Sequence, residues 1–285
     1  MIESMSPRSG RMLKEDGSVV NIADMLEQIT ASLGGARCGD SRVIDYIGED
    51  VLNEFEFLKP FRDSNCIFLY DANRDNIVNG TYIDPINNIK IDFMRYDEAS
   101  KKELANGKKC RYFGGEETRK KGAAKVENNP ILNLFEPPIA VFSTFRMLTK
   151  AFGYIIIKHI STSADIQYGL CYSTSLNKFA AGLDGVFNIA PADEDIKTDT
   201  WYNAGFIWDG QEIQPYVNFK KSGDAVSHVA NTIVTGANMY IGSRNHGGSG
   251  KFQGDIASIT IYKSDDVESI LSNERKLAAG YVGGV

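Results

Sequence analysis

The chain has 285 residues, of which 42% are hydrophobic and 24% are charged, so it is long and apolar enough to form a globular core. Its net charge is −6 and its pI is about 5.2. These values argue against nucleic-acid binding, which depends on Lys and Arg neutralising phosphates, and against anionic membranes. No apolar run approaches the roughly 20 residues of a membrane-spanning helix. We therefore expect neither a nucleic-acid partner nor membrane insertion.

The N-terminal region predicts an arm, a hairpin and a short helix. The first ten residues are polar and are expected to be extended. Asp16-Gly17 is a tight-turn signal between two short runs that contain apolar residues, which predicts a hairpin. Asn21 is a candidate cap for a helix through Thr30, where apolar residues fall at helical spacing. That helix is too short to be stable alone, so its apolar stripe must pack on the chain or on a partner.

Residues 36–64 are ambiguous, with a candidate strand at 43–47 and a charged turn at 48–50. A change of texture follows near Lys59-Pro60, because short β runs separated by Gly, Asn and Asp begin at about residue 65. We therefore predict an N-terminal anchor over residues 1–60 and a second domain over residues 61–285.

The second domain is predicted to be mainly β, because many short strands with turn signals between them favour an antiparallel sandwich or barrel. The candidate strands are Cys66–Tyr70, Ile89–Phe93, Ala140–Leu148, Tyr154–Ile160, Ile166–Ser173, Lys178–Leu183, Gly185–Ile189, Trp201–Trp208, Ile213–Asn218, Asn238–Ile241 and Asp255–Tyr262. A short helix is predicted over Asp97–Asn106 and an exposed loop over Glu116–Asn129. A terminal helix is predicted over Ser264–Leu277, with Ser264 as its cap and basic residues near its end.

The four cysteines are far apart and form no C-x-x-C pair, which argues against a zinc site and gives no disulfide framework. We expect reduced thiols in a chain made in a cytosol. The N-terminus has no apolar run of the kind found in secretory signals, so no signal peptide is predicted.

Three segments, in order, resemble the laminin-G-like members of the concanavalin-A-like lectin/glucanase superfamily. The first, at 199–210, contains Trp201 and ends in Asp209-Gly210; the second, at 213–218, contains Tyr216-Val217-Asn218, with Phe219 where the family has Gly. The third runs from Met239 to Ser243 and from Phe252 to Tyr262, and contains Gly242 and Gly254. The resemblance implies a jelly-roll sandwich over about 61–285, and the turn after Asn218 must differ from the family's.

The same resemblance bears on chemistry. The glucanase branch places three carboxylates on one strand, and the similar run here, Glu54-Phe55-Glu56, lacks the third and precedes the sandwich. We therefore expect no catalysis. Laminin-G-like domains often carry calcium on loops, so Asp71 and Asp75 are candidate calcium ligands, and an Asx turn leaving a strand is the alternative.

The remaining candidate site is a glycine-rich loop after the strand at 238–241. Arg244, Asn245 and His246 are candidate ligand contacts, because sandwiches carry function on such loops, and a plain hairpin loop is the alternative. His159 and His228 have no metal-ligand or triad spacing and are expected to be packing or edge residues.

Residues 9–26 resemble the opening of structural proteins of tailed bacteriophages, in which a short anchor precedes a displayed module. This implies a non-enzymatic virion protein made in the host cytoplasm: a head decoration, head fibre or tail appendage. Other virion proteins, host-surface glycan and further copies of the chain would be its partners. The alternatives are a free lectin, a glycan hydrolase and a sandwich that only reinforces a shell. The predicted docking residues are Arg11, Leu13, Ile22, Met25, Leu26 and Ile29.

Overall fold

A computed structural model describes residues 2–6, 11–14, 19–21, 49–74, 80–94, 101–114, 123–133, 137–160, 166–229, 236–244 and 250–283. In these parts, two large antiparallel sheets pack face to face, and two helices and a separate three-stranded sheet accompany them. The fold class predicted from the sequence, an antiparallel sandwich with few helices, is therefore confirmed.

The small sheet lies at the N-terminus and has the order β1-β2-β3. Its strands are β1 (Ile2–Ser6), β2 (Arg11–Lys14) and β3 (Val19–Asn21). The pairing of β2 with β3 confirms the predicted hairpin, whose turn lies outside the described residues. The expected polar arm is wrong over residues 2–6, because these residues form a strand that pairs with β2. The predicted helix at 21–30 and the candidate strand at 43–47 lie outside the described residues after Asn21.

The larger of the two sandwich sheets has nine strands in the order β17-β16-β15-β10-β20-β8-β7, with β18 paired to β16 and β4 paired to β20. Its strands are β4 (Cys66–Asp71), β7 (Lys101–Glu103), β8 (Lys109–Phe113), β10 (Ile139–Met147), β15 (Trp201–Trp208), β16 (Glu212–Val217), β17 (Lys220–Lys221), β18 (Val226–Ser227) and β20 (Gly254–Tyr262).

The facing sheet has eight strands in the order β14-β13-β12-β11-β19-β9-β6-β5. Its strands are β5 (Thr81–Ile83), β6 (Lys90–Met94), β9 (Ala123–Val126), β11 (Gly153–His159), β12 (Ile166–Ser173), β13 (Lys178–Leu183), β14 (Val186–Pro191) and β19 (Asn238–Ile241). All eleven strands predicted from the sequence are present in the two sheets; four have both ends as predicted, and the ends of the others are displaced by at most two residues.

The main core lies between the sheets and is rich in aromatic and branched side chains, including Phe145, Phe179 and Phe252, which pack edge to face. Strand β20 supplies Ile256, Ile259 and Ile261 to this core. Their spacing is irregular because Ala257 is an extra residue opposite β10: Thr144 pairs with Ser258, and the next residue, Phe145, pairs with Ile256. The bulge allows Asp255 and Ser258, three residues apart, to face the same side of the sheet.

Two helices cover part of the outer face of the nine-stranded sheet. Helix α1 (Glu49–Asp63) contributes Leu58 and Phe61, and helix α2 (Val267–Ala278) contributes Ile270 and Leu277, to a second buried cluster. Each of these apolar side chains stabilises the layer by roughly 1.5–3 kcal/mol. Helix α1 was not predicted, and it extends across the boundary expected at residue 60, so that boundary stays a prediction.

Three predicted elements are corrected. The helix over Asp97–Asn106 is wrong in its described part, because residues 101–103 form β7, which pairs with β8 around a turn at Gly107 (φ +78°). The Asn-Gly pair here is a hairpin signal that outweighs the helix pattern. The exposed loop over Glu116–Asn129 is wrong over residues 123–126, where β9 lies between β6 and β19 and is mostly buried.

The terminal helix is confirmed, but its cap is Asp266 rather than Ser264, because the Asp266 side chain accepts a hydrogen bond from the Ser269 amide. The turn after β16 contains Phe219, the residue at which the sequence departs from the family pattern. Asn218 (φ +48°) and Phe219 (φ +67°) both adopt the left-handed conformation, which costs a non-glycine residue about 1 kcal/mol or more. Burial of Phe219 beneath Arg275, whose guanidinium carbon is 5.4 Å from the ring centroid, offsets this cost.

Candidate binding surface

A row of aromatic and charged side chains crosses the part of the nine-stranded sheet that lies beyond the helices. It begins at Trp201 on β15, whose ring centroid is 5.3 Å from the Arg146 guanidinium on β10. Arg146 binds Asp255 on β20 through two hydrogen bonds, from Nε at 3.1 Å and from Nη2 at 2.6 Å. The register Trp201–Arg146–Asp255 therefore places three interacting side chains on three adjacent strands.

The row continues to the edge of the sheet. Lys102 on β7 donates to Asp255 Oδ1 at 2.8 Å, and its Nζ is 4.6 Å from the ring centroid of Tyr112. Tyr112 on β8 is the direct partner of Asp255 on β20. Because neighbouring strands are about 4.8 Å apart, Trp201 and Tyr112 are separated by roughly 14 Å across the sheet. We call Trp201, Arg146, Asp255, Lys102 and Tyr112 the aromatic–ionic row.

The ends of the row are more exposed than its centre. Asp255 is fully buried, whereas the Lys102 side chain is 36% exposed and the Arg146 side chain is 22% exposed. Both aromatic residues, Trp201 and Tyr112, are half-buried. The row thus combines a buried anion with cations and ring surfaces that reach solvent, an arrangement that suits contacts with a polar ligand.

The ion pairs of the row favour the charged form of Arg146. Partial burial opposes the charge on Arg146, but the hydrogen bonds and the charge of Asp255 raise the Arg146 pKa above its usual value. The neighbouring Cys110 thiol is different: burial, reinforced by the Asp255 charge, raises its pKa to about 12. Cys110 therefore stays a neutral thiol at physiological pH and is not a nucleophile.

The β7–β8 hairpin that supplies Lys102 is braced against the C-terminal segment. Tyr281 donates its hydroxyl to the Lys109 carbonyl, and the Lys109 amide donates to Asn73 Oδ1 at 3.0 Å. Asn106 donates its side-chain amide to the Gly280 carbonyl at 2.5 Å. Tyr281 also packs on Trp201, with ring centroids 4.8 Å apart. Tyr281 therefore contacts both ends of the row, Trp201 at one end and the β7–β8 hairpin at the other.

The other buried acids of the described residues serve the fold. Glu274 accepts hydrogen bonds from Thr260, Tyr262 and Asn203 at 2.6–2.8 Å, and burial raises its pKa. Asp84 accepts from the amides of Leu69 and Asn87, both at 2.8 Å, and burial raises its pKa to about 6. Both carboxylates are enclosed by elements of the fold.

The structure places the predicted calcium ligand Asp71 in an Asx turn at the end of β4. Its Oδ1 accepts from the Asn73 amide at 2.9 Å, and its Oδ2 is 3.6 Å from Arg74 Nε. Asp75 lies outside the described residues. Within the ranges that the structure describes, no group of three or more His, Cys, Asp or Glu side chains could hold a metal ion. The calcium site stays a prediction.

Of the three predicted ligand contacts in the glycine-rich loop, Arg244 is described, and Asn245 and His246 lie outside the described residues. The Arg244 carbonyl interacts with Nε2 of His159, and the His159 ring packs on Tyr240 with centroids 5.5 Å apart. His159 is thus a buried packing residue, as expected. His228 lies 4.0 Å from an Asp184 carboxylate oxygen, and its backbone carbonyl accepts from Trp208. The structure does not bring Arg244 to the aromatic–ionic row.

The remaining sequence predictions have mixed outcomes. Arg11 and Leu13 lie on β2, and the other predicted docking residues lie outside the described parts: Ile22, Met25, Leu26 and Ile29. Glu54 forms an ion pair with Arg74, so it is held on helix α1 rather than on a sandwich strand. The described cysteines, Cys66, Cys110 and Cys171, are buried free thiols.

None of the five residues of the row was predicted from the sequence as a site residue, since Trp201 appeared only in the family resemblance. The sequence does carry a signal for the hairpin that supplies Lys102 and Tyr112, since two Lys-Lys pairs flank Asn106-Gly107 and indicate a lysine-rich hairpin. The partnership of Arg146 with Asp255 spans 109 positions and depends on sheet register. It therefore had no local signal.

Comparison with known families identifies the central part of the chain. Residues 147–265 match the family Laminin G 3, described as the concanavalin A-like lectin/glucanases superfamily. The matched segment contains Trp201 and Asp255, and the match confirms the superfamily resemblance of the sequence over these residues. No curated protein sequence matches the chain.

Solved structures share the fold at low sequence identity. Trypanosoma rangeli sialidase in complex with 2,3-difluorosialic acid has a TM-score of 0.53 and 11% identity, covering 83% of this chain. The chain spans only 40% of that sialidase. Domain 4 of the extracellular arabinanase AbnA from Geobacillus stearothermophilus, in complex with arabinotriose, has a TM-score of 0.50 and 12% identity, covering 74% of this chain and 98% of that one. At such identities the likeness shows the fold alone.

Proposed function

We propose that the sandwich is a non-catalytic glycan-binding module, displayed on a tailed-bacteriophage particle as a head decoration, head fibre or tail appendage. The observation that supports binding is the aromatic–ionic row. Trp201 and Tyr112 offer ring surfaces on which sugar rings can stack, and Arg146 and Lys102 offer charged donors to hydroxyl or carboxylate oxygens. A similar fold, the arabinanase domain, was solved with an oligosaccharide bound.

The proposal of no catalysis is supported by how the buried acids are used. Asp71, Asp84, Asp255 and Glu274 are the buried acids of the described residues, and each accepts hydrogen bonds or ion pairs within the fold. A glycosidase instead needs two carboxyl groups facing the scissile bond. Release of reducing sugar from bacterial wall polysaccharide would contradict this part of the proposal and favour a hydrolase.

A glycan array tests the binding function. The full chain is expected to bind a defined set of glycans on the array, and the Tyr112→Ala variant is expected to bind the same glycans more weakly. Phe152→Ala is the matched control, because Phe152 is a partly exposed aromatic residue outside the row, at 39% exposure. Retention of no glycan by the wild-type chain would contradict the proposal.

Display on a particle is proposed for residues 1–60. The three-stranded sheet of residues 2–21 supports this, because it forms a hydrogen-bonded unit separate from both sandwich sheets. Deletion of residues 1–30 is expected to abolish incorporation into phage particles while glycan binding persists. Undiminished incorporation would contradict the docking role. In the described parts of the chain, neither helix is long and apolar enough to cross a membrane.

A further inference from the structure

We propose that the aromatic–ionic row selects oligosaccharides that carry carboxylate groups, such as those containing uronic or sialic acids. This inference rests on the proposed glycan-binding function and adds the ligand class and the location of the site. The first observation is that the row is positively charged although the chain as a whole has a net charge of −6.

The row and its hairpin are cationic. Three basic side chains share the side of the row with two acidic ones, Arg146, Lys102 and Lys108 against Asp255 and Asp199, while Lys101, Lys109 and Glu103 alternate to the other side of the hairpin. One of the acids, Asp255, is fully buried and already engaged by two cations. A ligand that lies along the row therefore meets an excess of positive charge, which favours an anionic partner.

The donors of the row can reach such a ligand. An ammonium group has three donors, and the Lys102 interaction with Asp255 Oδ1 occupies one of them. The Lys102 side chain is 36% exposed, so the others are accessible from solvent. Arg146 directs Nε and Nη2 at Asp255, and Nη1 at Asp199, whose side chain is 75% exposed. A ligand carboxylate can replace Asp199 at Nη1, because an exposed ion pair contributes little.

The geometry suits a chain of sugars rather than a single ring. Trp201 and Tyr112 lie roughly 14 Å apart across the strands, and Arg146 and the ion pair of Lys102 with Asp255 lie between them. The hairpin and the C-terminal segment hold these groups through the Asn106–Gly280 and Tyr281–Lys109 hydrogen bonds. Preorganised donors lose little entropy on binding, so the cationic groups contribute to affinity as well as to orientation.

The test uses an array of uronic-acid- and sialic-acid-containing oligosaccharides, each printed beside its carboxyl methyl ester. The wild-type chain is expected to bind the acids about tenfold more tightly than the esters, because a charge-assisted hydrogen bond is replaced by a neutral one. Lys102→Gln is expected to abolish this preference. Tyr112→Ala is expected to weaken both forms by roughly fivefold, because stacking does not depend on the carboxylate.

Two matched controls separate these effects from damage to the fold. Lys221→Gln removes an exposed lysine of the opposite edge strand, and Phe152→Ala removes an aromatic residue outside the row. Both are expected to bind as the wild type does, and urea denaturation checks that each variant is folded.

The outcomes distinguish the two proposals. Equal binding of acids and esters would overturn the ligand class and leave the glycan-binding function standing. If the Lys102→Gln and Tyr112→Ala variants, each measured separately, bind the acids and esters with wild-type affinities, the location of the site would be overturned. Failure to bind any glycan would overturn both proposals.

Discussion

Glu274 and Asp255 are both fully buried carboxylates on the outer side of the nine-stranded sheet, but their partners differ. Glu274 lies on the buried face of helix α2 and accepts hydrogen bonds from two hydroxyl groups and one amide. Asp255 lies beyond the helices and is bound by Arg146 and Lys102. Neutral donors allow the first region to be closed by a helix. Cations require hydration, so the second region stays partly open.

The outer face of the nine-stranded sheet thus serves two purposes: it holds a helix in one region and positions charged side chains at the surface in the other. Where the acid meets neutral groups, burial raises the pKa of Glu274 and the site fastens helix to sheet. Where the acid meets cations, it holds two charged side chains at the surface in fixed positions. The second arrangement leaves groups available to a ligand.

The largest effect is expected from Asp255→Asn. This change leaves Arg146 and Lys102 without their counter-charge and should lower the free energy of unfolding by about 3 kcal/mol. Urea denaturation measures it. If Asp255→Asn lowered the free energy of unfolding by less than Glu274→Gln does, the proposed difference between the two regions would be contradicted.

A smaller effect is expected from Glu274→Gln. The amide keeps one acceptor oxygen for Thr260 and Tyr262 but turns a donor toward Asn203, so a loss of about 1–2 kcal/mol follows. The exposed Glu268→Gln on the same helix is the control, and its stability should match that of the wild type. An equal loss in both variants would show that the buried network is not responsible.

The pH dependence of stability sharpens the comparison with a third buried acid. The folded-state pKa of Asp84 is raised to about 6, so its protonation favours the folded state as pH falls. Between pH 7 and pH 5 the wild type should gain about 1 kcal/mol more stability than Asp84→Asn. Denaturation at the two pH values measures this difference, and parallel changes in both proteins would contradict it.

The smallest effect is expected from Asp199→Asn. Its carboxylate is 75% exposed and pairs with Arg146 at 3.1 Å, so stability should change by less than about 0.5 kcal/mol. The same denaturation experiment checks it. A loss comparable to that of Asp255→Asn would mean that the exposed end of the row, not its buried centre, holds Arg146.

The strands of the sandwich could be predicted because each is a short β run bounded by turn residues, and Trp201–Trp208 is an example in which both ends were correct. The β7–β8 hairpin was missed because its Lys-Lys-Glu run lacks the apolar alternation of a strand, although Asn106-Gly107 signalled the turn. Helix α1 was missed because Pro60 and the charged residues around it weakened its pattern.

The candidate site was less predictable than the fold for a specific reason. The row depends on the register of β20, where the extra residue Ala257 turns Asp255 away from the core. Without that bulge, the alternation counted back from Ser258 would direct residue 255 toward the facing sheet. A one-residue irregularity in pairing has no signal in composition or motif, so the partnership of Asp255 with Arg146 emerges only from the three-dimensional structure.

Fluorescence of a protein with a single tryptophan tests the central claim, that glycan binds along the row, most directly. The chain has two tryptophans, and Trp208 is buried, so Trp208→Phe leaves the half-buried Trp201 as the reporter. Titration with an array-selected acidic oligosaccharide should shift the Trp201 emission and protect it from a soluble quencher, with the same affinity that calorimetry gives. Binding by calorimetry with unchanged Trp201 emission and quenching would contradict the account.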